Sequence, residues 1–383
     1  MIKNVIPEDI GYLSRAFQLA RKGRFTTMPN PNVGCVIVKD NHVIGEGYHM
    51  RAGENHAEIN ALSVAGNFAK GATAYVTLEP CSHYGRTPPC TTALIKSGIK
   101  RVVVSMLDPH PDLTGRGIQL LKQSGILVSH SIMLSEAESI NKGFIKRIRT
   151  GMPWIKLKLA SSLDGRVAMS SGESKWITSV QSRQDVQCFR AESDVILSTA
   201  STVLMDNPRL NVRWSCFSKE MKNIYINGNQ IRHPLRVIID STNRILPTHR
   251  FIQNEGGVIL VRIKKDNLNW PKSVEQLLVS PIVNKSGLNQ INLKKLMQYL
   301  ACYLKINSVW VESGPTLSGA LLDIGLVDEV ILYQAIKFLG SNAKPLCLLP
   351  NLNKLSDIKT FKLIDITSIG PDIRLILQPN TVV

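Results

Sequence analysis

His56-Ala57-Glu58 and the run from Pro80 to Cys90, which reads PCSHYGRTPPC, supply one imidazole, two thiols and one uncommitted carboxylate. A hydrolytic zinc site needs that set: three protein ligands hold the metal, and a fourth position stays open for water. His56, Cys81 and Cys90 are the candidate ligands. Glu58, two residues past the imidazole, can carry a proton without binding metal. His49 and His83 are rival nitrogen ligands, but neither has a glutamate at this spacing. The competing reading makes the cysteines buried inert thiols and His56 a solvated helix cap. Four matching groups in two tight clusters argue against it.

An H-x-E followed by a P-C…C pair is close to the pattern of hydrolytic zinc deaminases. In such a site a hydroxide available near neutral pH attacks a ring carbon bearing an amino group. The glutamate moves the water proton to the ring and to the leaving ammonia. The two cysteines stand farther apart here than the usual two-residue gap. Thr26 to Gly34 (TTMPNPNVG) carries Asn amides that could read a base edge, or it is ordinary turn chemistry.

The elements that must position these groups are legible as periodicity. Ile10, Leu13, Phe17 and Ala20 recur at helical spacing, and Gly23 ends that helix. Cys35–Val38 and Val43-Ile44 read as strands joined by an Asp40-Asn41 turn. His56–Ala65 reads as a helix, Ala74–Leu78 as a buried strand, and Pro88-Pro89 suit the first turn of a further helix. Arg101–Met106 and Ile126–Val128 are strands flanking a helix at Ile118–Lys122. A hairpin followed by βαβ units implies a sheet with helices on its faces. The basic, Gly/Pro-containing stretch Arg147–Pro153 is the predicted domain boundary, giving domains 1–146 and 154–383. A second α/β pattern follows, with strands at Trp154–Ala160, Val195–Leu197, Leu235–Ile239, Gly257–Val261, Val309–Val311 and Val330–Tyr333. A helix is read at Val180–Ala191, and Ser313-Gly314-Pro315-Thr316 leads into an apolar helix to Leu322, while the polar stretches 214–233 and 263–306 read as loops or insertions.

Composition narrows the class. The 383 residues suit two or three domains, and a 44% hydrophobic, 20% charged composition is that of a folded soluble protein. No apolar run is long enough to span a membrane, and the first residues carry acids and no apolar core, unlike a secretory leader. Seven scattered cysteines fit a reducing compartment, so the cytoplasm is expected. The net charge of +17 leaves three readings: a nucleic-acid surface, phosphorylated substrates, or a composition rich in Lys, Asn and Ile. A zinc deaminase fused to a basic nucleic-acid module is therefore the alternative function. It wants clustered stacking aromatics, which a dispersed 6% does not supply.

The combination TTMPNPNVGCVIV, HAE, PCSHYGRTPPC and DPHPDLTGRG resembles the deaminase domain of the bifunctional riboflavin-biosynthesis deaminase–reductases. The second half is similar to their reductase domain through PWIKLKLASSLDGR, SGESKWITS, DVQCFRAESDVIL, TVLMDNPRLNVR and VESGPTLSGALL. The resemblance implies an α/β fold: an N-terminal cytidine-deaminase-like α/β/α sandwich and a C-terminal dihydrofolate-reductase-like α/β domain. That agrees with the lack of a G-x-G-x-x-G after any strand. It implies Zn2+ and NADPH as cofactors, a phosphorylated pyrimidine as substrate, no nucleic-acid or membrane partner, and a homo-oligomer. By matching position, Ser174, Arg190, Leu210, Arg213 and Glu312 are expected around the substrate. Ala160, Trp176, Thr202, Asp206, Ser241 and the run Gly314, Pro315, Thr316, Leu317, Ser318, Gly319 and Ala320 are expected to contact NADPH. Ser198–Ser201 departs from the family by standing where many relatives are glycine-rich.

Overall fold

Short β-branched runs and amphipathic helices alternate through most of the chain, and they fold into two compact units, Met1–Gly151 and Met152–Gly228 with Arg232–Val383. The structure is a computed structural model. It describes residues 6–85, 87–224, 231–283, 287 and 289–380.

The first unit contains strands β1 (Gly34–Lys39), β2 (His42–Tyr48), β3 (Thr73–Leu78), β4 (Arg101–Met106) and β5 (Leu127–His130). Its helices are α1 (Pro7–Arg21), α2 (Ala57–Ala65), α3 (Cys90–Lys96), α4 (Arg116–Gln123), α5 (Leu134–Ile140) and α6 (Lys142–Thr150). The sheet order is β2-β1-β3-β4-β5; β1 runs antiparallel to both neighbours, and β3, β4 and β5 are parallel. The central strands are apolar on both faces, so helices must cover both. Leu13 and Ala16 of α1 pack with Val36, Tyr75 and Val103 on one side. Ala61, Leu94 and Leu121 pack with Ile37, Val76 and Val104 on the other. Asp40 and Asn41 take φ of 49° and 61°, the left-handed pair that closes a two-residue hairpin. Ile10 is not on the buried stripe of α1: it is exposed, and Leu13, Ala16, Phe17 and Ala20 carry the packing. Pro89 caps α3 from outside, and the helix starts at Cys90.

Glycine lets α2 lie close on the hairpin. A Cβ on Gly47 would meet the Ala57 carbonyl and the Ala61 nitrogen at 2.5 Å each. This approach brings His56 and Glu58, at the start of α2, against the sheet. The break read at Arg147–Pro153 is narrower than the sequence suggested: α6 continues through Thr150, and Gly151 ends it with a φ of 68°.

The second unit adds β6 (Trp154–Ser162), β7 (Arg166–Ala168), β8 (Val195–Thr199), β9 (Leu235–Ile239), β10 (Val258–Arg262), β11 (Val274–Leu278), β12 (Pro281–Val283), β13 (Asn289–Ile291), β14 (Ser308–Glu312), β15 (Glu329–Ala335), β16 (Lys344–Pro345), β17 (Phe361–Ile369) and β18 (Asp372–Pro379). Its helices are α7 (Val180–Ala191), α8 (Ala200–Asp206), α9 (Lys219–Ile224), α10 (Leu293–Cys302) and α11 (Pro315–Asp323). A nine-stranded sheet runs β11-β10-β9-β8-β14-β6-β15-β18-β17. All its pairs are parallel except those made by β18. Residues of α10 and α11 cover one face over Leu157, Leu197 and Val311, and residues of α7 and α8 cover the other over Ile196, Ile238 and Trp310.

The stretch 263–306, read as loop, is corrected: it holds β11, β12, β13 and α10. Asn292 caps α10 by accepting the Lys295 N–H at 3.0 Å, and Leu296, Met297, Leu300 and Ala301 are buried. The Lys, Asn and Gln residues around that stripe masked its helical period. Within 214–233 there is a 3-10 turn at Trp214–Cys216 and the short α9; residues 225–230 lie outside the described residues. Among the described residues no helix is long and apolar enough to cross a membrane.

Candidate active sites

In the first unit, α2, the end of β3 and the start of α3 converge. His56 is the residue before α2, Cys81 follows β3, and Cys90 opens α3. The His56 Nδ1 lies 3.5 Å from Cys81 Sγ and 3.3 Å from Cys90 Sγ. Tetrahedral zinc with bond lengths of ~2.0–2.3 Å separates its ligands by about 3.5 Å, so these three atoms fit the ion. They are the metal-holding group found among the described residues. His83 is exposed and outside it.

The remaining groups fix the ligands. Thr87 Oγ1 lies 3.4 Å from His56 Nε2, which leaves Nδ1 for the metal. His49 stacks edge-on to His56 with centroids 5.3 Å apart. Its Nδ1–H donates to the Asn55 carbonyl at 3.1 Å, so Nε2 accepts from the Asn30 amide at 3.0 Å. His49 is thus a buried neutral partner of Asn30, with burial lowering its pKa. Of the Thr26–Gly34 stretch, Asn30 reaches the site, whereas Asn32 spends its amide on the Ile140 carbonyl at 3.0 Å.

Hydrogen bonding from Cys90 and His56 holds the Cys81 thiol well down, at about 4, and the same bond to Cys81 pushes the Cys90 thiol up. Glu58 is buried, and burial raises its carboxyl to about 7, assisted by the Cys81 charge.

The sequence reading overlooked Glu79. Its Oε2 accepts the N–H groups of Asp108 and Gly115 at 3.0 and 2.9 Å, and its Oε1 accepts those of Gly117 and Ile118 at 2.8 and 3.2 Å. The carboxylate ties the DPHPDLTGRG loop and the start of α4 to the chain just after β3, two residues before Cys81. Backbone donors 29 to 39 residues away leave no mark in composition.

In the second unit the expected residues gather at the carboxyl ends of parallel strands, where open α/β sheets bind ligands. Ala160 is near the end of β6, Thr202 and Asp206 are on α8 after β8, Ser241 follows β9, and Gly314–Ala320 follow β14. Ser174 and Trp176 lie between β7 and α7, Arg190 is in the last turn of α7, and Leu210 and Arg213 follow α8. Trp176 is 64% exposed, with Arg183 over its ring at 4.3 Å. Leu317, Ser318 and Gly319 are buried, so this run offers the backbone N–H groups of its first turn rather than those side chains.

Arg190, expected around the substrate, commits its guanidinium within the protein. Its Nε and Nη2 donate to the two oxygens of Glu312 at 2.6 and 2.7 Å, and its Nη1 donates to the Asn211 carbonyl at 2.9 Å. Trp310 Nε1 donates to Glu312 at 2.6 Å. Burial pushes the Glu312 carboxyl up, but Arg190 more than offsets this and holds it at about 2. Arg213 has no ion-pair partner among the described residues; lost solvent and the nearby Arg190 lower its pKa. It is the free fork of the two. Lys158, which pairs with Glu312 across β6 and β14, was also missed. Burial lowers its pKa.

A three-ligand zinc site with a buried glutamate, on a mixed five-stranded α/β/α sandwich, defines a hydrolytic deaminase. The second sheet is a separate reductase scaffold, and known proteins agree on both halves. The family profile "Cytidine and deoxycytidylate deaminase zinc-binding region" matches residues 7–106, and "RibD C-terminal domain" matches 153–375. The chain is 55% identical to the riboflavin biosynthesis protein RibD of Escherichia coli, covering 96% of this chain and 98% of that protein. It is 50% identical to RibD of Haemophilus influenzae, covering 98% of each. Acinetobacter baumannii RibD superposes with a TM-score of 0.88 at 43% identity, over 98% of this chain and 99% of that one. A Thermotoga maritima diaminohydroxyphosphoribosylaminopyrimidine deaminase/5-amino-6-(5-phosphoribosylamino)uracil reductase gives 0.83 at 32% identity, over 97% and 98%.

The chain belongs to the RibD family. It is a bifunctional deaminase–reductase of riboflavin biosynthesis, with a zinc-binding deaminase domain and an NADPH-dependent reductase domain. The second half is therefore a reductase and not a nucleic-acid module.

Proposed function

We propose that residues 1–146 remove the 2-amino group of 2,5-diamino-6-ribosylamino-4(3H)-pyrimidinone 5′-phosphate. Residues 154–383 then reduce the ribosyl chain of the product, giving 5-amino-6-(5-phospho-D-ribitylamino)uracil. The observation that carries the first step is the approach of His56 Nδ1 to both cysteine sulfurs beside buried Glu58.

Zinc, when bound, acidifies a water toward ~7 and presents it as the nucleophile. His56, Cys81 and Cys90 hold the ion, and Thr87 keeps the imidazole turned toward it. Glu58 accepts one water proton and gives it to the ring nitrogen, then passes the second proton of that water to the amino group, which leaves as ammonia while the carbonyl forms. A carboxyl raised to about 7 gains and loses that proton readily near neutrality. Asn30, its amide fixed by His49, reads the pyrimidine edge.

NADPH, when bound, supplies the hydride. Arg213 takes the substrate phosphate, with Ser174 and Leu210 beside it. Glu312, fixed by Arg190 and Trp310, accepts from substrate donors, and Lys158 Nζ gives up the proton that the reduced sugar takes. Trp176, Thr202, Asp206, Ser241 and the first turn of α11 contact the coenzyme. The protein works in the cytoplasm as a homo-oligomer on small phosphorylated molecules.

The test follows two signals with zinc-loaded protein and the diaminopyrimidine ribosylphosphate. Ammonia should appear with or without NADPH. Loss of NADPH absorbance should require the deaminated product. NADPH consumption ahead of ammonia release would contradict the order, and ammonia with no NADPH loss would contradict the second activity.

A further inference from the structure

Cys81 and Cys90 stand nine positions apart, and of the loop between them His83, Tyr84, Gly85 and Pro88 are exposed. Burial of the loop therefore does little to fix one sulfur against the other. Hydrogen bonds from the start of α3 do so. Pro89, the residue before α3, offers no side-chain cap, and the first N–H groups of a helix need acceptors from outside it. Cys81 supplies two. Its Sγ accepts the Cys90 N–H at 3.3 Å, and its carbonyl accepts the Thr91 N–H at 3.2 Å.

A side chain adds the third bond. Thr91 Oγ1 donates to the same Cys81 carbonyl at 3.2 Å. A helical threonine ordinarily turns its hydroxyl to the carbonyl three or four residues back. Here it reaches back ten positions, to a residue that carries a candidate metal ligand. Thr91 is 1% exposed, so bulk water does not compete for the hydroxyl. Two donors occupy both lone pairs of the Cys81 carbonyl and hold the plane of the peptide that follows it. From that fixed backbone the Cys81 sulfur is aimed at His56 Nδ1, 3.5 Å away.

We propose that Thr91 is a positioning residue of the deaminase: by holding the Cys81 carbonyl it keeps the sulfur in place before the ion arrives, and so raises zinc affinity. Ligands aimed in advance lose less freedom on binding. Groups that orient a ligand without touching the metal carry a measurable share of its affinity. The inference rests on the reading of His56, Cys81 and Cys90 as the zinc ligands.

Thr91→Val and Thr91→Ser in the full-length protein separate the hydroxyl from the methyl. Zinc Kd is read by chelator competition at one pH, because ligand deprotonation makes the affinity pH-dependent. Thr91→Val keeps the shape and loses the donor, so the Kd should rise roughly tenfold to a hundredfold. Thr91→Ser keeps the donor, so its Kd should stay within about twofold of wild type. With cobalt(II) in place of zinc, at a level that saturates the wild type, the thiolate-to-metal absorption should fall in Thr91→Val and recover in Thr91→Ser. A wild-type Kd in Thr91→Val overturns the proposal, and so does an equal loss in Thr91→Ser, which would assign the effect to packing. Should Thr91→Val fail to fold, hydrogen exchange of the zinc-stripped wild-type protein decides. The Cys90 and Thr91 amides should stay protected without the ion; open-chain exchange that only zinc slows overturns the proposal. A wild-type protein that takes up no zinc would instead remove the ligand reading itself.

Discussion

At the scale of single residues, both sites depend on carboxylates whose partners are far away in sequence. Glu79 accepts two N–H groups on each oxygen. A glutamine there turns an NH2 toward two of them in either orientation. Glu79→Gln should cost about 1–3 kcal/mol of stability and weaken zinc binding roughly tenfold to a hundredfold, read by thermal unfolding and chelator competition. Glu312 is the counterpart in the reductase. Its folded pKa of about 2 lies below the ordinary carboxyl value. The stability it contributes is therefore complete above about pH 4.3 and is lost as pH falls toward 2. Glu312→Gln should flatten the acid limb of stability against pH in that window, and lower stability at neutral pH by up to about 3 kcal/mol by leaving Arg190 poorly paired. Denaturant titrations at stepped pH show both. The cluster of His56, Cys81 and Cys90, the candidate zinc ligands, was legible in sequence because imidazole and thiol are rare types confined to two short runs. The Arg190–Glu312 pair was not, because 122 residues separate the partners and an arginine fork suits phosphate and carboxylate equally.

At the scale of elements, α2 carries Glu58 and follows His56, the proposed proton carrier and metal ligand, and glycine lets it lie close on β2. Gly47→Ala would push a Cβ within 2.5 Å of the Ala57 and Ala61 backbone. The helix must then move off β2, costing about 1–3 kcal/mol and lowering zinc retention, which metal analysis after dialysis would detect; full retention would mean that α2 seats His56 by other means. Buried strands announced themselves as short β-branched runs, as in β4 and β14. The β17–β18 hairpin went unread. A register shift between Leu363 and Asp365 breaks its alternation, and its edge position exposes apolar residues on both faces. Helix α10 was hidden by the lysines around its four-residue apolar stripe.

At the scale of the whole molecule, the net charge of +17 did not identify a partner. Local arrangement does so better. Among the described residues Arg213 ion-pairs with no carboxylate, and it is the group proposed to take the substrate phosphate. Two chemistries in one chain then require two separable sites, one built on His56, Cys81 and Cys90 and one on the parallel sheet. Glu58→Gln in the full-length protein tests this most directly, with zinc content, ammonia release and reduction of separately supplied 5-amino-6-(5-phosphoribosylamino)uracil measured together. Zinc should stay at the wild-type level and reduction should proceed as before, while ammonia release falls by a factor of roughly 10²–10⁴. Undiminished ammonia release with zinc still bound would contradict the account.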